Sequence, residues 1–326
     1  MINDIVFFNH WHNGDVFLSK AYMIHLINEL KNQGSYNFHL LHTNSSKLLA
    51  DVVDLKYSFL DTNTGDMYWQ VFKKDDKIYI NTWVGAYLSF FKKNQLHSNI
   101  NTINIIWTHI YYTVQTMMNV KIHTTKLEPQ KGIPTTNWNV FDIEPAKKFV
   151  KEKMNIILFC NGPSRSEQNS ISGITTMEYT IKSLARRYKN YTFVCTHKFN
   201  VEQQYTNIIF TDDIFSDVKN GDINEIAYIS TFCDVIIGKN SGPYIYCHVK
   251  ENIERNCTFI SVSDRQSDSY IYDFYDMAAK HIYFIGKQES KLEELIDKVI
   301  LNSFKVSVVS DDQIIKLNPT LDLRNY

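Results

Sequence analysis

The run Asp234-Val235-Ile236-Ile237-Gly238-Lys239-Asn240-Ser241-Gly242-Pro243 decides the fold. Val235, Ile236 and Ile237 make a short apolar strand of the kind buried on both faces in a parallel sheet. Gly238 closes it, and a polar turn leads to Gly242-Pro243. Proline suits the first position of a helix, where its missing N–H is not needed. The pattern predicts a helix from there to about residue 249. Strand, short turn and helix together form the repeating unit of a parallel α/β sheet.

The same alternation extends in both directions. Before it lie a strand at 155–160, an amphipathic helix at 175–189, strands at 192–196 and 208–211, and a helix at 222–232. After it come strands at 258–262 and 281–285, a helix at 291–301 and a strand at 306–309. A second series starts at the first residues: strand 5–8, helix 16–30, strand 38–42, and a short helix to 53 capped by Ser45 or Ser46. Residues 54–83 read as a hairpin or short strands, and 99–120 as a long helix. Between the two series, 121–144 shows no period and holds Pro129, Gly132 and Pro134, which marks a linker. The expectation is an α/β protein with two Rossmann-like, doubly wound domains facing a cleft, spanning 1–144 and 145–326. Ligands of such sheets bind at the carboxyl ends of the strands.

Composition sets limits. In 326 residues, Lys+Arg number 34 and Asp+Glu 35, a net charge of −1. That balance argues against nucleic acid as a partner, which calls for a basic surplus. No run of about 18 apolar residues predicts a membrane span, and no signal peptide is read at the N-terminus. The five cysteines are odd in number, widely spaced and lack a CxxC pair, as expected of reduced core thiols. A cytoplasmic protein is expected.

Four loops hold candidate chemistry. In His10-Trp11-His12-Asn13-Gly14-Asp15, the Gly allows close approach of a ligand. Asp15 is either a first-turn helix cap or a general base, and His10 and His12 are further candidates for proton transfer or for binding acceptor oxygens. As metal ligands the two histidines lack an obvious third, so no metal is expected. Gly162-Pro163-Ser164-Arg165-Ser166 offers two hydroxyls and a guanidinium able to grip a diphosphate in bidentate fashion, or else is a solvated loop. Asn240-Ser241-Gly242-Pro243 places backbone N–H groups at a helix start, an anion site, or else is an ordinary turn. Asp222-Ile223-Asn224-Glu225 fits a capping box, or offers Asn224 and Glu225 to a sugar hydroxyl. The P-loop, GxGxxG, GxSxG and HExxH motifs do not occur, which excludes a standard P-loop kinase, a classical dehydrogenase, a typical serine hydrolase and a zincin.

Taken together, these residues resemble the GT-B glycosyltransferases, in particular the heptosyltransferase-like group, glycosyltransferase family nine. The likeness rests on Gly14-Asp15 at the opening of the first helix and on the strand, turn and Gly-Pro of 236–243. It implies a metal-independent, inverting transfer of a sugar from a nucleotide-sugar donor to a hydroxyl of a glycan or glycolipid. No cofactor is implied, the nucleotide-sugar being a co-substrate, and peripheral contact with a membrane is compatible with a glycolipid acceptor. By resemblance Asp15 is the catalytic base, with His12 beside it and His10, Asn13 and Gly14 on the acceptor side. Gly162, Ser164, Arg165, Ser166, Asn240, Ser241, Gly242 and Pro243 hold the donor. Asn240 stands where the family usually has Asp, so the fold and reaction class carry over, and the heptose does not. Rival readings are a nucleotide-sugar 2-epimerase of the same fold and a binding protein without catalysis.

Overall fold

The computed structural model describes residues 2–10, 12–43, 47–60, 69–87, 100–123, 132–162, 174, 176–215, 223–239, 241–263, 278–301 and 308–310. They form two sheets. The first is built from β1 (Asp4–Asn9), β2 (Asn37–His42), β3 (Leu55–Phe59), β4 (Val71–Lys74) and β5 (Lys77–Asn81), in the order β3-β2-β1-β5-β4. The edge strand β4 runs antiparallel to β5, and the other pairs are parallel. Helix α1 (Asn13–Lys31) follows β1, and α2 (Ile100–Met118) follows a 3₁₀ turn at Val84–Tyr87. In α2, Ile103, Ile106, Trp107, Ile110, Tyr111 and Val114 are buried, the three- and four-residue spacing of one helix face. Trp107 of that face meets Phe7 of β1 and stacks on Tyr22 of α1.

After α3 (Glu144–Glu152) comes the second sheet: β6 (Ile156–Cys160), β7 (Thr192–Cys195), β8 (Ile208–Phe210), β9 (Cys233–Gly238), β10 (Thr258–Ser263), β11 (Lys280–Ile285) and β12 (Val308–Ser310). The order is β12-β11-β10-β9-β6-β7-β8, and every pair is parallel. Relabelled from β6, this is the Rossmann order 3-2-1-4-5-6 with one more strand at the edge. Helices α4 (Glu178–Arg187), α5 (Thr211–Ile214), α6 (Ile223–Ser230), α7 (Gly242–Tyr246), α8 (Lys250–Ile253) and α9 (Glu289–Ile300) connect and cover it. The α/β class and the two parallel-dominated sheets agree with the sequence reading. Among the described residues, no helix is long and apolar enough to cross a membrane. All five cysteines are unpaired and buried.

Three local expectations change. The helix opening at Gly242 stops at Tyr246, because side chains take the carbonyls a further turn would use. His248 Nδ1 donates to the Tyr244 and Ile245 carbonyls at 3.0 and 3.3 Å, and Asn252 Nδ2 donates to the Cys247 carbonyl at 2.8 Å. The helix expected from 175 begins at Glu178, since Met177 sits in the left-handed region with φ 56°. Residues 47–54 form turns rather than a helix, while Ser45 and Ser46, the expected caps, lie outside the described residues.

In both sheets the chain leaves its first strand in one direction and later returns on the other side. The switch in direction falls between β1 and β5 in the first sheet and between β6 and β9 in the second. A crevice opens at the carboxyl ends of the strands at such a point. Close packing holds the second one: Gly238, level with Cys160, has no room for a side chain. A Cβ there would lie 2.8 Å from Cys160 Cβ and 2.7 Å from Tyr244 Cδ2. Gly238→Ala is therefore expected to destabilise the fold by about 1–3 kcal/mol, read by denaturant unfolding. A loss below a few tenths would mean that β6 and β9 are not packed this way.

Candidate active site

A buried polar network ties the loops together at the first switch point. Asn9, at the end of β1, donates from Nδ2 to Thr82 Oγ1 at 3.1 Å, and Thr82 N donates to the Phe8 carbonyl at 2.9 Å. Asn9 Oδ1 accepts the His12 N–H at 2.9 Å, which fixes the entry to α1. On the β5 side, Asn81 Oδ1 accepts the Trp83 N–H at 2.9 Å, and Asn81 Nδ2 donates to the Trp69 carbonyl at 2.9 Å. The loop after β1 and the loop after β5 are thus joined across the crevice.

Asp15 lies between them, 6% exposed. Its side chain does not cap α1. Oδ2 accepts the Val84 N–H from the loop after β5, at 3.4 Å. Burial dominates its electrostatics and pushes the carboxyl up to about 7, while the hydrogen bond from the Val84 amide acts in the opposite sense. A carboxyl that titrates near neutrality suits a general base. His12 precedes α1 with its ring stacked on Trp83, centroids 5.5 Å apart and planes 4° from parallel. Its burial lowers the imidazole's basicity. His10 is buried and meets Phe8 edge-on, and its carbonyl accepts from Thr43 Oγ1. His42, at the end of β2, is pushed down to about 4, by burial first and then by His12 and His10.

At the second switch point, β6 and β9 end level at Cys160 and Gly238. Asn161, fully buried, donates to the Thr176 and His197 carbonyls at 3.2 and 3.1 Å and accepts the His197 N–H at 2.9 Å. It locks the β6 exit to the β7 exit, beside Gly162. Lys239 follows β9 and is buried, which lowers its pKa, while Glu289 acts in the opposite sense. Ser241 is the residue before α7 and makes no side-chain cap bond, and Pro243 sits in the first turn. Ser164, Arg165, Ser166, Asn240 and Asp222 lie outside the described residues.

The two switch points meet. A Cβ on Gly14 would lie 3.3 Å from Ile245 Cγ1, and one on Gly242 would lie 3.6 Å from Asn13 Cβ. The first turns of α1 and α7 are therefore in van der Waals contact, and the two halves touch there. Phe17 of α1 stacks on Tyr246 of α7, with centroids 4.3 Å apart. Asn224 Nδ2, offered by the sequence to a sugar hydroxyl, donates to the Lys47 carbonyl at 3.0 Å, which ties α6 to the N-terminal half. Of the residues singled out from the sequence, Asn13, Gly14, Ser241, Gly242 and Pro243 come together here, with Asp15 and His12 one turn or less along the chain. Gly162 belongs to the adjoining exit of β6. Sequence reasoning missed Trp83 and Val84. They reach the site through the β1–β5 pairing, which leaves no local mark in the sequence.

No known family matches the sequence, and no curated protein does. Among solved structures, the chain is similar to a glycosyl transferase family 9 protein from Veillonella parvula, at 10% identity and TM-score 0.40, covering 90% of this chain and 91% of that one. It is also similar to E. coli heptosyltransferase WaaC with ADP, at 8% identity and TM-score 0.47, covering 92% and 100%. A third is a putative UDP-N-acetylglucosamine 2-epimerase from Listeria monocytogenes, at 7% identity and TM-score 0.44, covering 93% and 89%. These likenesses concern the path of the chain, and the chemistry below rests on this chain's own residues.

Proposed function

We propose that the chain is a glycosyltransferase that moves a sugar from a nucleotide-sugar to an acceptor hydroxyl, by inverting transfer without a metal. Residues 1–144 form the acceptor side and 145–326 the donor side. The observation that carries this reading is the meeting of two Rossmann-type switch points, one presenting a buried carboxyl that titrates near 7, the other two glycine-containing strand exits.

Asp15 removes the proton of the acceptor hydroxyl as that oxygen attacks C1 of the donor sugar. The bond from C1 to the diphosphate oxygen breaks as the new bond forms on the opposite face. The departing diphosphate takes its hydrogen bonds from Arg165, from the hydroxyls of Ser164 and Ser166, and from the backbone N–H groups of Asn240 and Gly242, the Ser241 N–H being taken by the Lys239 carbonyl at 2.7 Å. Gly162 and Gly242 let the backbone come close to the phosphates. His12, less basic through burial and stacked on Trp83, forms a neutral wall beside Asp15.

Incubation with donor alone separates this reading from an epimerase, which would interconvert the nucleotide-sugar with no acceptor present. Arg165→Ala is expected to weaken nucleoside diphosphate binding about 10- to 100-fold, the span of a hydrogen bond to a charged group. Equal affinity by calorimetry would remove Arg165 from the donor site.

A further inference from the structure

We propose that Trp83 and Gly85 are positioning residues of this site: the Trp83 indole, held against the His12 ring and over Gly85, keeps the Val84 amide on the Asp15 carboxyl. The inference rests on the reading of Asp15 as the base.

Gly85 admits the indole only because it has no side chain. A Cβ at that position would overlap Trp83 Cζ2 and Cε2 and lie 2.8 Å from Nε1. The indole is also parallel to the His12 imidazole. His12 is pinned through its own N–H to Asn9, and the Trp83 backbone is pinned to Asn81 on one side and to Ala86 N on the other. A rigid aromatic pair thus spans the crevice between the β1 and β5 exits. Val84, the residue between Trp83 and Gly85, sits between these fixed points with its N–H on Asp15 Oδ2 at 3.4 Å. Gly85 is one of only 11 glycines in the chain, and its backbone stays on the ordinary side of φ, so the space it leaves to the indole is what the position supplies.

The Val84 amide donates the hydrogen bond that opposes the effect of burial on Asp15. Losing it therefore raises the carboxyl's midpoint. Several other titratable groups lie on elements packed around this site. They are His10 and His12 ahead of α1, His42 at the end of β2, His109 on α2, Lys20 farther along α1, and Tyr244 and Tyr246 on α7. Burial makes His12, His42 and His109 less basic and holds the two tyrosines up. Lys20 is paired with Asp51.

The test follows the Asp15 carboxyl directly, by carbon NMR of aspartate-labelled protein, with Asp15→Asn assigning the signal. Gly85→Ala displaces the indole and Trp83→Leu removes the ring, while Trp83→Phe keeps an aromatic face on His12. The first two are expected to raise the Asp15 midpoint by about one pH unit, a tenfold change in its ionisation constant and the low end for a hydrogen bond to a carboxylate. Trp83→Phe should leave it within a few tenths. The acid limb of kcat/KM should move by the same amount in the same variants. An unchanged midpoint in folded Gly85→Ala and Trp83→Leu proteins overturns the proposal. A shifted midpoint in a protein that transfers no sugar overturns the functional reading and leaves the positioning role standing.

Discussion

Replacing Asp15 by asparagine is expected to lower sugar transfer about 10²- to 10⁴-fold, the contribution of an oriented general base, while donor binding persists. The same change is expected to stabilise the protein above pH 7. Burial raises the carboxyl from 3.8 to about 7 in the folded protein. Below pH 4 both states hold the proton and Asp15 leaves stability unchanged. Between about pH 4 and 7 the unfolded chain ionises first, so the native state loses stability as pH rises, and above 7 the loss is complete. Three pH units correspond to about 4 kcal/mol. The amide of the Asp15→Asn variant cannot ionise and escapes that loss, and its oxygen still accepts from Val84. Wild type and variant should therefore unfold alike near pH 4 and diverge toward pH 8, a signature that separates lost chemistry from lost structure. Unchanged turnover would remove Asp15 from the mechanism, and parallel stability curves would contradict its burial as a carboxyl.

The second large effect lies away from the chemistry. Lys20 Nζ meets Asp51 Oδ2 at 2.6 Å with the two side chains 2% and 3% exposed. The same Asp51 oxygen accepts the Asn137 N–H at 2.9 Å, and Lys20 also reaches Thr136 Oγ1 at 3.4 Å. This pair therefore pins three segments: α1, the turns at 47–54 and the linker. The turns in question supply the Leu48 carbonyl to Tyr246 and the Lys47 carbonyl to α6, so they help join the halves. The linker continues the bridge, through Pro134 O to Lys250 N and Trp138 Nε1 to Glu251. Lys20→Met strands a buried carboxylate and is expected to cost about 3–5 kcal/mol in denaturant unfolding. Lys20→Met with Asp51→Leu should recover most of that. A single-variant loss below about 1 kcal/mol would mean the pair is not buried as described.

The sequence made the parallel architecture legible wherever strands are short, apolar and followed by a helix, as at 156–160 and 233–238. These runs are buried on both faces, so their composition alone marks them. It also marked Gly14-Asp15 and Gly242-Pro243, because glycine and proline are scarce in this chain. Less was readable where pairing is nonlocal. Which strand neighbours β1, and hence that Val84 meets Asp15 and Trp83 meets His12, depends on a return across some seventy residues. The capping reading of Asp15 failed for the same reason: its hydrogen-bond partner, the Val84 N–H, comes from the turn after β5. The end of α7 at Tyr246 was hidden too, since it depends on the side chains of His248 and Asn252 turning back onto main-chain carbonyls.

The most direct measurement is a thermal-shift screen of the purified chain against nucleoside diphosphates and their sugars. A diphosphate bound only by the folded state at 100 times its dissociation constant should stabilise it by about 2.7 kcal/mol. Both wild type and Asp15→Asn should show that shift for the same nucleotide, and Arg165→Ala should show less. If no nucleoside diphosphate or nucleotide-sugar moves the melting temperature of the wild-type protein, the joined switch points are not a donor site and the proposed transfer is wrong.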